Sequence, residues 1–180
     1  MAVVAVVAVG AGVVVARATQ GDDDGDVIHL DQPGEYVDPS GTNPPQVGEV
    51  MPAFRLTDAD GAAVTLVSDG RPMVVNLWQS TCPPCARELP AFAAVDEEYG
   101  DRVRVVGIND LDSADTMKTF AADRGVHYEL LLDPDYQVQD GMHVVAYPAT
   151  WFVDADGEIV AQTLSLDEAE LRRNVEALLS

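Results

Sequence analysis

Lysine is almost absent from this sequence. It occurs once, at Lys118, and basic residues total 10 against 31 acidic ones, a formal net charge of −21 over 180 residues. A chain this acidic repels nucleic acid and anionic membrane surfaces, which argues against both as partners. The bias fits a GC-rich genome or a salty habitat, and equally an acidic docking face for a basic partner. Cysteine is as scarce, with only Cys82 and Cys85. Four-ligand zinc would need a second pair of thiols, so that class of site is missing its ligands. No internal repeat is present. What the chain does have is apolar mass: hydrophobic residues make up 47% of it, enough for one packed domain plus an extra segment.

The one long apolar run is at the N-terminus. Ala2 to Ala16 consists of Val, Ala and Gly without interruption. It is shorter than the roughly 18–20 residues that span a bilayer, and it matches the apolar core of a secretory signal in length. Ala16-Arg17-Ala18 resembles a small-x-small cleavage site. A basic region before the run and a lipid-attachment cysteine after it are both lacking, as in a sequence with a truncated start. Residues 1–18 are therefore expected to be a signal peptide or a membrane anchor, which implies an extracytoplasmic protein; a buried core segment is the competing reading. Residues 19–47 read as an acidic flexible linker. They contain Asp22-Asp23-Asp24-Gly25-Asp26 and scattered Pro, Gly, Ser and Asn, and no Lys or Arg occurs between Arg17 and Arg55. Such a segment buries too little apolar surface to offset its ordering entropy, and its charge extends it.

Residues 48–180 have the rhythm of an α/β domain. Phe54–Leu56 and Ala63–Leu66 flank Asp58-Ala59-Asp60-Gly61, a hairpin signal. Met73–Trp78 is a short apolar run of buried-strand type. A helix is expected over Pro83–Tyr99, a strand over Val103–Asn109, a helix over Ala114–Arg124 and a strand over Glu129–Leu132. Ala149–Val153 and Glu158–Thr163 are joined by a second Asp-x-Asp-Gly turn. Asp167–Leu179 closes the chain as an amphipathic helix with Leu171, Val175, Leu178 and Leu179 on one face. This order predicts a mixed sheet covered by helices on both faces.

The chemistry centres on Cys82-Pro83-Pro84-Cys85 at a strand-to-helix junction. A sulfur at a helix N-terminus meets free N–H groups and the positive end of the helix dipole, which stabilise its thiolate. That makes Cys82 the expected nucleophile. Cys85, one turn inside, is placed to attack the resulting mixed disulfide. Prolines are tolerated in a first helical turn, where no N–H partner is lost, and they stiffen the loop. Two other readings compete: a structural disulfide, which would close too small a loop to stabilise much, and a metal site, for instance copper on two thiolates with one of His29, His127 or His143. No organic cofactor or metal is expected; the redox-active group is the Cys82–Cys85 disulfide itself.

Three stretches carry a family resemblance: Val47-Gly48-Glu49-Val50-Met51-Pro52-Ala53-Phe54-Arg55-Leu56, then Val74-Val75-Asn76-Leu77-Trp78-Gln79-Ser80-Thr81-Cys82-Pro83-Pro84-Cys85-Ala86-Arg87-Glu88-Leu89-Pro90, and Tyr147-Pro148-Ala149-Thr150-Trp151-Phe152-Val153-Asp154. From about residue 47 to the C-terminus the chain resembles the TlpA/ResA-like branch of the thioredoxin superfamily, alongside the cytochrome c maturation thioredoxins. The resemblance implies a thioredoxin-like fold, a mixed central sheet flanked by helices with an N-terminal hairpin extension. It implies thiol–disulfide oxidoreductase activity on protein thiols and disulfides outside the cytoplasm, with apocytochrome c as a client and a membrane thiol carrier as electron donor. Cys82 matches the family nucleophile and Cys85 its resolving partner. Pro148 matches the cis-proline facing the dithiol, and Tyr147 and Trp78 fall with it in the substrate-binding set. Asn76 stands where cytoplasmic thioredoxin has a buried acid, so another carboxylate is needed for proton transfer. Asp112 matches the position of a functional glutamate, with Asp110 two residues away as the alternative. Glu88 fits a C-x-x-E-x-P pattern, and could equally be a surface helix residue.

The sequence departs from the family at Thr81, where an aromatic residue is usual, and at Ala149, where Thr is usual. The P-x-x-x-T-x-x-C arrangement of peroxiredoxins is absent. A reductase of partner disulfides is the expected function; a thiol oxidase and a copper-binding module are the alternatives, since direction depends on potential and partners as well as on the motif.

Overall fold

The computed structural model describes residues 43–180, together with two short strands, β1 (Ala8–Val9) and β2 (Gly12–Val13), that pair antiparallel. The expected signal or anchor and the expected linker otherwise lie outside the described residues. Among those described, no helix is long and apolar enough to cross a membrane.

Seven strands and four helices make up the α/β domain. In chain order they are β3 (Phe54–Asp58), β4 (Ala63–Leu66), β5 (Met73–Trp78), α1 (Pro83–Tyr99), β6 (Arg104–Asn109), α2 (Ala114–Ala122), β7 (Glu129–Leu132), α3 (Gln137–Gly141), β8 (Ala149–Val153), β9 (Ile159–Thr163) and α4 (Glu168–Leu178). The strands form one mixed sheet in the order β4-β3-β7-β6-β5-β8-β9. β5, β6 and β7 run parallel, while β3, β4, β8 and β9 join antiparallel. This is a thioredoxin-like fold, with the β3–β4 hairpin as the N-terminal extension.

The two Asp-x-Asp-Gly turns are built alike. Asp58 Oδ1 accepts from the backbone N–H of Asp60 (2.9 Å) and Ala62 (2.8 Å). Asp154 Oδ1 accepts from Asp156 (3.0 Å) and Glu158 (2.9 Å). Gly61 and Gly157 take φ of 86° and 90°, the left-handed region that a residue without Cβ enters freely.

β5 lies inside the sheet between β6 and β8 and is buried along its whole length. Its side chains alternate between faces, as strand geometry requires. Val74 and Trp78 enter a core layer under α1, α2 and α4 with Leu89, Phe92, Met117, Leu171 and Val175. Met73, Val75 and Leu77 enter the opposite layer with Phe54, Ile108, Val138 and Trp151. Asn76 shares the first face, so it is buried towards α1. The predicted elements are present with ends within about two residues. α3 was not predicted, and Asn43 to Val47, the end of the expected linker, pack on the domain. There Gln46 Oε1 accepts from the Trp151 indole at 3.0 Å, and the Asn43 side chain bonds the backbone of Val145 and Ala146.

Candidate active site

The topology collects the site at one end of the sheet. The C-terminal ends of parallel β5, β6 and β7 lie together, and the start of antiparallel β8 joins them, because Ala149 pairs with Leu77. Loops leaving such an end are where α/β proteins place ligands. Here they carry Gln79 to Cys82 after β5, Asp110 to Asp112 after β6, Asp133 after β7, and Tyr147-Pro148 before β8.

Cys82 is the N-cap of α1, with extended backbone (φ −96°, ψ 105°), and prolines occupy the first helical positions. Its Sγ accepts from the backbone N–H of Cys85 at 3.2 Å. The same N–H, with the helix dipole behind it, is available to a Cys82 thiolate after reduction. Cys82 and Cys85 are joined in a disulfide. Cys82 keeps 9% exposure and Cys85 none, so only Cys82 offers its sulfur to a partner.

Behind the disulfide lies a buried polar group. Glu88, 3% exposed, sits one turn beyond Cys85 on the inward face of α1. Asn76 Nδ2 donates to Glu88 Oε1 (2.9 Å) and to Thr150 Oγ1 (3.0 Å), its cross-strand neighbour on β8. Burial pushes the Glu88 carboxyl up to about 7, against the lowering influence of Asn76 and the Leu166 backbone. Glu88 is thus a buried acid poised near neutrality, and the surface-helix reading of it is corrected. The signal was its spacing: position i+3 from Cys85 falls on the same helix face as the inner thiol.

The other expected residues are placed as follows. The Tyr147–Pro148 bond is cis and Pro148 is buried. Trp78 is fully buried and stacks on Phe120 at 5.7 Å between ring centroids. It therefore lies beneath the site, in the core, and presents no surface to a substrate. Gly107 makes room for it, since a Cβ there would come within 3.0 Å of the indole nitrogen. Asp112 is half-buried and fully engaged: Ser80 donates its N–H (2.9 Å) and its hydroxyl (2.6 Å), and Asn109 Nδ2 donates at 2.6 Å. Asp112 so anchors the loop that delivers Cys82. Asp110 is deeper, 3% exposed, and accepts from Gln79 Nε2 (2.9 Å) and from the Tyr147 hydroxyl. Among the described residues no group of three His, Cys, Asp or Glu side chains is arranged to hold a metal ion.

A disulfide at a helix N-terminus, its outer cysteine keeping 9% exposure and its inner one buried three residues before a buried acid on the same helix, is equipped for thiol–disulfide exchange. The sequence model of the AhpC/TSA family matches residues 47–162. The chain belongs to the AhpC/TSA family. Within it, the chain is 31% identical over 116 residues to the thiol-disulfide oxidoreductase ResA of Bacillus subtilis, covering 63% of this chain and 64% of that protein. It is 33% identical over 130 residues to the thiol:disulfide interchange protein DsbE of Allochromatium vinosum, covering 70% and 71%. The solved structure of a secreted Mycobacterium tuberculosis disulfide oxidoreductase homologous to E. coli DsbE superposes with a TM-score of 0.59 at 27% identity, over 69% of this chain and 96% of that one. These AhpC/TSA relatives are of the ResA and DsbE kind, in line with the TlpA/ResA-like resemblance.

Proposed function

We propose that this chain is an extracytoplasmic thiol–disulfide oxidoreductase that reduces disulfides of partner proteins. The observation that carries this reading is the Cys82–Cys85 disulfide at the N-terminus of α1, with Cys82 keeping 9% exposure and Cys85 fully buried one helical turn before the buried Glu88. In the reduced protein, the Cys82 thiolate attacks one sulfur of a client disulfide. A bond forms between Cys82 and that sulfur, and the other client sulfur leaves as a thiolate and takes a proton. Cys85 then passes its proton to Glu88 and attacks Cys82 Sγ. The Cys82–Cys85 bond forms, the mixed disulfide breaks, and the client departs with both sulfurs reduced and two electrons gained. Asp112 is the second candidate for the proton balance, acting from the Cys82 side through the Ser80 loop. Glu88→Gln and Asp112→Asn separate the two, because only the residue that exchanges protons with the dithiol shifts its titration when neutralised.

The apolar N-terminal run and the acidic stretch after it support a tethered or secreted protein, re-reduced by a membrane thiol carrier. Apocytochrome c is the first client to examine. Cys85→Ser lacks the resolving thiol and accumulates mixed disulfides through Cys82 with exported proteins. A dithiol potential near or below thioredoxin's, about −270 mV, agrees with a reductase. A value near about −120 mV, with the pair oxidised in cells and client thiols left free on deletion, assigns the opposite direction and overturns the proposal.

A further inference from the structure

Asp110 has no part in the exchange chemistry above, yet it is almost completely buried at the mouth of the site. A carboxylate is removed from water at substantial cost unless its oxygens are satisfied. Both are. Oδ1 accepts from Gln79 Nε2 at 2.9 Å, and Oδ2 accepts from the Tyr147 hydroxyl. Burial, then the bond to Asp110, push the Tyr147 phenol above its ordinary value, with the Gln79 amide acting in the opposite sense. The phenol is therefore a protonated donor at any physiological pH, and the three side chains are mutual neighbours. Their positions in the chain give the arrangement its meaning. Gln79 lies in the short loop from β5 to Cys82; Tyr147 is the residue before cis Pro148; Asp110 stands between them at the end of β6.

We propose that Asp110 is a positioning residue for client binding: by accepting from Gln79 and Tyr147 at once, it ties the loop ahead of Pro148 to the loop that delivers Cys82. This deepens the proposed function and rests on it. The client is an extended polypeptide segment carrying a disulfide, which adds to the backbone N–H and C=O of Tyr147 as a strand adds to a sheet edge. For the client sulfur to reach Cys82, that backbone edge must be held at a fixed distance from the dithiol. A loop held in advance loses less entropy when the client docks. Asn43 assists from the other side, where its side-chain oxygen accepts from the N–H of Val145 (2.8 Å) and Ala146 (2.9 Å). Asp110 itself touches no reacting atom in this scheme, and its effect runs through Tyr147.

The test is steady-state reduction of a disulfide-bonded peptide by the full chain, comparing wild type with Asp110→Asn, Tyr147→Phe and the double variant. Tyr147→Phe deletes the hydrogen bond and Asp110→Asn replaces its carboxyl acceptor with a weaker amide oxygen, so KM is expected to rise, by about tenfold in Tyr147→Phe, while kcat stays within about twofold. The double variant is expected to be no worse than the poorer single one, because one bond is broken only once. The Cys82 titration is expected to be unmoved. Additive losses, an unchanged KM, or a fall in kcat with a shifted thiol titration would each overturn the proposal, the last by making Asp110 a proton-transfer group. Should Asp110→Asn prove unfolded by thermal melting, Tyr147→Phe, which deletes one hydroxyl, carries the KM test alone. A wild type that reduces no disulfide sinks the reductase reading and the clamp with it; an active wild type with indifferent variants sinks the clamp only.

Discussion

Cys82 and Cys85 are the same residue in different surroundings. Cys82 caps a helix, receives an N–H from Cys85 and keeps a sliver of exposure; Cys85 is sealed in the core layer with Leu89 and Phe92. Burial in apolar surroundings raises a thiol's pKa, whereas a helix N-terminus lowers it. The two thiols are therefore expected to titrate apart, with Cys82 ionised first. Brief alkylation of the reduced protein at about pH 6, followed by peptide mapping, should label Cys82 well ahead of Cys85. Preferential labelling of Cys85 would reverse the roles. The acids differ in the same environmental way. Glu88 has one strong partner and a desolvated carboxyl, so it holds its proton to near neutrality. Asp112 has its oxygens filled by Ser80 and Asn109 and is committed to holding a loop.

At the scale of elements, ends matter most. α4 opens with a complete capping box: the Asp167 side chain accepts from Glu170 N–H at 2.8 Å, and Glu170 reaches back to the Asp167 N–H at 3.1 Å. Loss of the cap by Asp167→Ala is expected to cost about 1 kcal/mol of unfolding free energy, read by denaturant titration. An unchanged midpoint would mean that Leu171 and Val175, packed in the core, hold the helix unaided. The paired Asp-x-Asp-Gly turns and the short, largely apolar run of β5 were legible in the sequence, because each writes its own local pattern; the α4 cap was not read. Nor was α3. It is a five-residue helix entered through Tyr136 in the left-handed region (φ 55°), fixed by Asp133 accepting from Gln137 and Val138, and it is too short for an apolar period to emerge. The dithiol was legible because its chemistry is contiguous. The ties around it were not: Asp110 to Tyr147 and Asn43 to Ala146 join residues far apart in sequence, and nothing local distinguishes Asp110 from Asp112. Trp78, expected in the substrate-binding set, lies in the core for a related reason. Its face of β5 is set by the register with β6 and β8, and that face turns to Phe120 and the core.

For the whole molecule, the buried acid couples redox chemistry to stability. Glu88 binds its proton more tightly in the folded protein, at about 7, than at its ordinary value of 4.5. Between those values the native state holds a proton that the unfolded chain has released. Stability is therefore expected to fall as pH rises through that window, by a total on the order of 3 kcal/mol, and to level off above it. Asp133, whose carboxyl is also raised by burial, acts in the same direction. The net charge of −21 adds mutual repulsion that salt screens, whereas the Glu88 contribution arises inside the core and should persist at high salt. Denaturant unfolding of the oxidised protein at pH values of about 5 and about 8, each at high salt, isolates it. Wild type should be clearly less stable at the higher pH, and Glu88→Gln should lose most of that difference while remaining folded. A Glu88→Gln variant with the full wild-type pH dependence would show that Glu88 is already ionised in the native core. With an ordinary carboxylate's basicity it would be a poorer acceptor for the Cys85 proton, and the exchange would have to rely more on Asp112 or on solvent.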